Sequence, residues 1–136
     1  MKIKLLSAAL LLILVFTTLA GCSDAVEAQT ESKDLEIKQA TIEEVSISIA
    51  ESCPEQIIVN IKGGLEDSCT ILHEIVILHC SEDTINISVT TERPKDAIGA
   101  QVYSFFNKSV NLGSNFTSGN TYTVDVNGVT ATFQYP

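Results

Sequence analysis

The feature that most constrains the fold is an alternation of β-branched and polar residues that runs through the chain from Ile42 onward. Turn-forming residues interrupt the alternation about every ten positions. The alternation predicts strands over residues 43–50, 56–62, 70–80, 85–91, 100–106, 108–112, 121–126 and 129–135. Short strands at this spacing are typical of sandwiches and barrels. We therefore predict an all-β, antiparallel Ig-like β-sandwich of seven to eight strands over residues 42–136.

The last hairpin has the strongest local signal. Asn127-Gly128 separates two alternating segments, which is the pattern of a two-residue type I′ turn. The predicted cross-strand pairs are Val126–Val129, Val124–Ala131 and Tyr122–Phe133. Their side chains all lie on one face, so this hairpin should bury one side and expose the other.

Two further hairpins are predicted in the middle of the chain. Segment 70–80 should pair with 85–91 across a turn at residues 81–84, with Leu78 opposite Ile87 and Val76 opposite Val89. It should pair with 56–62 on its other edge. In that register Glu74 points inward, as a misfit. Ile71, Ile75 and Ile77 point outward and form a possible interaction face, unless another segment covers them. Tyr103-Ser104-Phe105-Phe106 is a second candidate surface, and its alternative is core packing.

The first 21 residues are typical of a secretory signal. Lys2 and Lys4 precede an apolar run that is too short for a stable membrane span of roughly 20 residues. Leu19-Ala20-Gly21-Cys22 then resembles the lipobox of bacterial lipoproteins. The resemblance implies fatty acylation such as palmitate on Cys22, cleavage before Cys22, and an exported protein held on the outer or periplasmic side of a membrane. The alternative is an uncleaved transmembrane anchor.

Residues 22–41 are polar and acidic, which predicts a disordered tether. A short helix around residues 35–38 is the alternative. The whole chain has 8 Lys and Arg against 17 Asp and Glu. That balance excludes nucleic acid as a partner, because the phosphate backbone would be repelled.

Three cysteines follow Cys22. The predicted register brings Cys53 and Cys80 together across a hairpin, so we expect a disulfide between them in an exported protein. A Cys53–Cys69 bond is the alternative. Cys69 is otherwise a small buried thiol, a partner in an intermolecular disulfide or a reactive free thiol.

Four segments carry a further resemblance: residues 64–70, 90–97, 111–113 and 121–129. They are similar to segments of a group of small uncharacterised bacterial secreted lipoproteins. The resemblance implies an Ig-like domain and no particular activity. Members of that group often carry a second cysteine shortly after the Pro-x-Asp-Ala segment, paired with the one in Asp-Ser-Cys-Thr. Here Ile98-Gly99-Ala100 fills that place, which leaves Cys69 without the expected partner.

No catalytic or cofactor motif stands out in the sequence. His73 and His79 are the two histidines, and with Cys69 they form the alternative hypothesis of a metal-handling or enzymatic lipoprotein. Six residues of strand separate the histidines by about 20 Å, too far to ligate one metal unaided. We therefore expect no catalytic residues, no metal and no cofactor. The favoured function is a lipid-anchored envelope module that binds a protein or a glycan, and a structural subunit of an envelope complex is a further alternative.

Overall fold

The computed structural model describes residues 34–79 and 81–136. This part of the chain forms eight strands, so the predicted all-β sandwich is confirmed. The strands are β1 (Leu35–Gln39), β2 (Thr41–Ala50), β3 (Gln56–Leu65), β4 (Ile71–His79), β5 (Thr84–Pro94), β6 (Ser104–Gly113), β7 (Thr121–Val126) and β8 (Val129–Gln134). Across these residues no helix has the length and apolar character that crossing a membrane requires.

The strands form two sheets. The three-stranded sheet has the order β2-β3-β6, and both of its pairings are antiparallel. The five-stranded sheet is organised around β5, with β4 on one side and both β1 and β7 on the other. β1 pairs with the end of β5 and β7 with its start, so the two share one edge. β5 and β7 run parallel, which is the one departure from the predicted antiparallel arrangement among the described strands.

The core lies between β3 and the pair β5 and β7. Every second residue of these strands is buried, as their alternation predicts for strands with one face on the core. The fully enclosed side chains are Ile57, Val59, Ile61, Ile87, Val89, Val124 and Val126. The predicted β7–β8 register is confirmed, including the Tyr122–Phe133 pair. Phe116 closes one end of the core by packing edge-on against both of these rings.

Asn127 joins three elements where β1 and β7 meet along β5. Its backbone has a φ of 49°, in the left-handed region that asparagine tolerates, and Gly128 follows with a φ of 92°. Its side-chain Nδ2 donates to the carbonyls of Ala40, at 2.9 Å, and Val89, at 2.8 Å. Its Oδ1 accepts from Val89 N at 3.1 Å. The Asn127 side chain therefore makes hydrogen bonds to Val89, which lies between the part of β5 that pairs with β1 and the part that pairs with β7.

The predicted register of β4 on β5 is wrong by one residue. The structure pairs Ile77 with Ile87 and Ile75 with Val89, where the prediction had Leu78 and Val76. A one-residue slip exchanges the two faces of a strand. Ile75 therefore packs against the core, and Glu74, the misfit of the predicted register, is exposed.

The predicted hairpin between 56–62 and 70–80 does not exist. β3 pairs with β2 and β6, while β4 belongs to the other sheet, so neighbours in sequence are not neighbours in space here.

The predicted start of the folded domain, at residue 42, is also too late. Residues 35–39 form β1, neither tether nor helix, because their backbone pairs with residues 90–94 of β5. The predicted strands 100–106 and 108–112 are one strand, β6.

Replacing Asn127 with alanine should lower the free energy of unfolding by about 2–4 kcal/mol, because it removes three hydrogen bonds and leaves partly buried backbone groups unpaired. Asn127→Asp keeps the acceptor but places a carboxylate oxygen against the Ala40 and Val89 carbonyl oxygens, so its loss should be at least as large as that of Asn127→Ala. Urea unfolding followed by circular dichroism measures both. Exposed Asn120→Ala is the control, with a change below about 0.5 kcal/mol. Equal midpoints for Asn127→Ala and Asn120→Ala would contradict the bridging role.

Candidate functional site

The outward side of the three-stranded sheet is the candidate site, and we call it the polar face. It consists of the alternate residues of β2, β3 and β6 that point away from the core. Short hydroxyl and amide side chains predominate there, with one opposed charge pair and one aliphatic residue. Its members are Glu44, Ser46, Ser48, Gln56, Ile58, Asn60, Lys62, Phe105, Asn107, Ser109 and Asn111.

Cross-strand hydrogen bonds hold the amides of the polar face in place. Asn60 lies at the centre, where its Nδ2 donates to Ser48 Oγ at 2.9 Å and its Oδ1 accepts from Ser109 Oγ at 2.7 Å. Towards one end, Asn111 Nδ2 donates to Gln56 Oε1 at 2.6 Å. These bonds link all three strands and fix the side-chain orientations without any ligand.

Two aromatic side chains lie at the other end of the polar face. Phe105 is 54 % exposed and Tyr103 is 47 % exposed, and their rings meet edge to face at 5.3 Å. Lys62 Nζ lies 4.8 Å from the centre of the Phe105 ring. The neighbouring Phe106 points inward and is buried. The candidate segment 103–106 is thus divided, with one aromatic in the core and two on the surface.

Tyr103 is fixed from two directions. Its hydroxyl donates to Glu43 Oε1 at 2.5 Å, and this hydrogen bond raises the pKa of Tyr103 above its ordinary value of 10.0. Its ring occupies the space in which a Cβ on Gly64 would lie. Only glycine at this position leaves room for the hydroxyl end of the Tyr103 ring, which explains Gly64 within a strand.

The outer side of the five-stranded sheet has a different character. Ile37, Glu92 and Ile71 form a row across β1, β5 and β4, and Val76 and Leu78 continue the apolar surface along β4. We call Leu35, Ile37, Ile71, Val76 and Leu78 the apolar strip; all five are exposed. Of the predicted interaction face, Ile71 belongs to this strip at 55 % exposure. Ile77 shares the core-facing side with Ile75 and is half exposed because β4 is an edge strand.

The predicted disulfide is not supported. Cys53 is exposed with a free thiol, and Cys80 lies outside the described residues. The prediction depended on pairing β3 with β4, which belong to different sheets. Cys22 also lies outside the described residues.

Cys69 is a half-buried free thiol in the loop between β3 and β4. A Cβ on Gly99 would lie 3.0 Å from its Sγ and 3.3 Å from its Cβ. Gly99 lies within residues 98–100, the segment in which the family resemblance expects a second cysteine. A disulfide requires Cβ atoms about 3.5–4.5 Å apart. The 3.3 Å separation between positions 69 and 99 is slightly shorter than that range.

The same loop is held to the end of β5 by a buried carboxylate. Asp67 Oδ1 accepts from the Thr70 hydroxyl at 2.8 Å and from the Cys69 amide at 2.9 Å. Its Oδ2 lies 2.8 Å from Arg93 Nε, an ion pair whose angle is not that of a hydrogen bond. The Thr70 hydrogen bond is the largest of several contacts that lower the pKa of Asp67 below its ordinary 3.8, and burial partly opposes them. Two of the four segments that carry the family resemblance, 64–70 and 90–97, therefore meet at this ion pair.

The histidines of the alternative hypothesis are not gathered into a site. His73 Nδ1 lies 2.6 Å from Glu92 Oε2, and Cys69 lies against Gly99. His79 is the last residue of β4. Among the described residues, no three His, Cys, Asp or Glu side chains are grouped so that they could hold a metal ion.

Sequence reasoning missed most of the polar face, although its signal was present. Polar residues alternate along 56–62 and again along 105–111, but the two segments appear unrelated until β3 is paired with β6. The wrong pairing of β3 with β4 concealed that relation. The exposed aromatics were recognised as a candidate surface without their polar neighbours.

Comparison with known proteins identifies a family. The model of the ORF11 beta-sandwich domain matches residues 59–135, from the middle of β3 to just beyond β8. An "Uncharacterized 10.2 kDa protein in HgiCIIM 5'region" of Herpetosiphon aurantiacus is 43 % identical over 88 residues, which cover 65 % of this chain and 92 % of that protein. A second, in the HgiBIM 5' region of the same organism, is 41 % identical over 78 residues, 57 % of this chain and 93 % of that protein. No solved structure matches the chain.

The stability that Asp67 contributes should depend on pH. A carboxylate whose pKa is lowered by folding stabilises the native state above its ordinary pKa, and this contribution is lost as the pH falls through the folded-state pKa. The difference in unfolding free energy between wild type and Asp67→Asn should therefore be largest near neutral pH and shrink below about pH 4. Thr70→Val removes the largest cause of the shift and should raise the Asp67 pKa, measurable by NMR titration. A wild-type-to-variant difference that is constant with pH would contradict this.

Gly99→Cys should form a disulfide with Cys69. Closing the segment 69–99 stabilises by about 3–4 kcal/mol in the chain-entropy model, less any strain from the slightly short Cβ separation. Thiol counting and thermal unfolding with and without reductant measure the bond and its effect. Ile98→Cys is the matched control, because Ile98 is fully exposed and should leave both thiols free. A free thiol at position 99 in the folded protein would overturn the assignment.

Proposed function

The chain belongs to the ORF11 beta-sandwich family, and from that premise we propose that it is a lipid-anchored, non-enzymatic binding module of the cell envelope. In this proposal Cys22 carries the acyl chains and the sandwich presents the polar face to a ligand. The observation that carries the binding role is the preorganised network around Asn60 beside two exposed aromatic rings. Side chains fixed before binding lose little entropy when a ligand arrives.

The proposed anchor rests on the sequence Leu19-Ala20-Gly21-Cys22 and the apolar run before it. Each acyl CH₂ buried in the bilayer contributes about 0.8 kcal/mol, so two or three chains hold a protein stably where one is marginal. Twelve residues separate Cys22 from Leu35, the start of β1. The sandwich would thus remain close to the membrane surface.

Non-enzymatic binding is proposed because the polar groups of the polar face are hydrogen-bonded to one another. Ser48, Asn60 and Ser109 form one chain of neutral hydrogen bonds, which suits recognition of hydroxyls and amides. A nucleophile or general base would instead need a titratable partner that shifts its pKa. The only opposed charges of the polar face, Glu44 and Lys62, are cross-strand neighbours.

A second candidate function is that of an accessory subunit in an envelope complex. The apolar strip favours it, since exposed aliphatic side chains that cross three strands are typical of protein contacts. Among the described strands, β4 also lies at the edge of its sheet. The polar face and the apolar strip lie on opposite sides of the sandwich, so one function does not exclude the other.

Metabolic labelling with an alkyne analogue of palmitate tests the anchor. Wild-type protein should be labelled and partition into the detergent-rich phase of Triton X-114, whereas Cys22→Ser should lose the label and move to the aqueous phase. Cys53→Ser is the matched control and should behave as wild type. A label that persists in Cys22→Ser, or that disappears in Cys53→Ser, would refute acylation at Cys22.

A further inference from the structure

We propose that the ligand of the polar face is a glycan, an uncharged chain of pyranose sugars that lies along β6 from Phe105 to Asn111. This inference rests on the binding role proposed above and does not depend on the lipid anchor. A pyranose ring has aliphatic C–H groups on its faces and hydroxyl groups around its rim. A surface that recognises it must therefore combine a flat aromatic contact with donors and acceptors arranged around it, as the polar face does.

The aromatic end supplies the flat contact. More than half of the Phe105 surface is exposed, and the ring is held in one orientation by an edge-to-face contact with Tyr103 and by Lys62 Nζ, which lies over the ring at 4.8 Å from its centre. A sugar would therefore contact the part of the ring that Lys62 leaves open. Tyr103 is itself fixed by its hydrogen bond to Glu43 and by its close contact with Gly64. An exposed aromatic ring that is already ordered can bury apolar area against a sugar at little entropic cost.

The amides supply the donors and acceptors. A primary amide has two N–H donors and an oxygen with two lone pairs. Asn60 uses one donor for Ser48 and one lone pair for Ser109, which leaves one of each for a ligand. A neighbouring donor and acceptor in one plane match two adjacent sugar hydroxyls. Asn107, exposed between Phe105 and Ser109, offers a second amide beside the half-buried Asn60.

The dimensions of the polar face favour a chain over a single buried molecule. Phe105 and Asn111 are six residues apart on one strand, a distance of roughly 20 Å, and the three strands span about 10 Å. An open depression of about 220 Å³ lies among Ser46, Asn60, Lys62, Asn107 and Ser109. It is smaller than the 300–1,000 Å³ of pockets that enclose small ligands. The polar face therefore fits an elongated ligand that lies along the surface.

Charge distinguishes this ligand from other polymers. The chain has a net charge of −9, which disfavours an anionic polymer. The depression on the polar face is lined by one acid, Glu44, and two lysines, Lys62 and Lys108, so its local charge is small. Apolar contact area for a protein partner lies on the other sheet, in the apolar strip. An uncharged glycan is the envelope polymer that matches this combination.

Affinity electrophoresis and calorimetry with the full-length protein in detergent micelles test the proposal. The probes are hexasaccharides of N-acetylglucosamine, glucose (β-1,4), mannose and xylose. At least one should bind, with affinity weakened at least tenfold by Phe105→Ala and at least threefold by Asn107→Ala, while Phe105→Tyr retains binding. Val76→Ala, an exposed substitution in the apolar strip, is the matched control and should bind as wild type.

Circular dichroism melting of each variant separates loss of binding from loss of fold. Phe105 and Asn107 are exposed, so both variants should melt within a few degrees of wild type. No binding to any of the four probes, or equal weakening by Phe105→Ala and Val76→Ala, would overturn the proposal. Cys22→Ser should bind the glycan as wild type does. A failure of acylation and a failure of glycan binding are therefore separate results.

Discussion

The structure depends on the packing of β3 against β5 and β7. Ile57, Val59 and Ile61 face Ile87, Val89 and Val124 across the sandwich, and all are fully enclosed. Because side chains alternate along a strand, burying one set of positions sends the other set to the surface. Burial of the odd residues of β3 thus places Asn60 and Lys62 outward, and the β3–β6 pairing then places Ser109 and Asn107 beside them. The surface chemistry follows from the core.

The outer faces of the two sheets carry different kinds of side chain, and packing of the core does not require this difference. The three-stranded sheet presents hydroxyls and amides with an aromatic end, and the five-stranded sheet presents aliphatic side chains around the His73–Glu92 pair. Solvent-facing positions of a sandwich can be filled by many polar residues without loss of stability. The Asn60 network and the exposed Phe105 ring therefore suggest a demand beyond folding. The apolar strip suggests a second contact, on the opposite side of the molecule.

Local signals predicted the fold class and one hairpin, and pairings between distant segments could not be predicted. The Asn127-Gly128 turn specified the β7–β8 register correctly, because a two-residue turn leaves no freedom in the pairing. The turn before β5 permits two registers, and the prediction took the one that buries Glu74. β3 pairs with β6, about fifty residues away, and no local pattern encodes that choice. The role of Asn127 at the junction of β1 and β7 was equally hidden, since the sequence indicates only a turn residue.

The most direct test of the account is a ¹⁵N NMR titration of the protein with the hexasaccharides. The account predicts chemical-shift changes that cluster on residues 46–48, 58–62 and 105–111, which are adjacent only in the folded sheet. The outer residues of β4 and β5 should not respond. Shift changes confined to the β4–β5 side, or spectra unchanged at millimolar concentrations of every sugar, would contradict it.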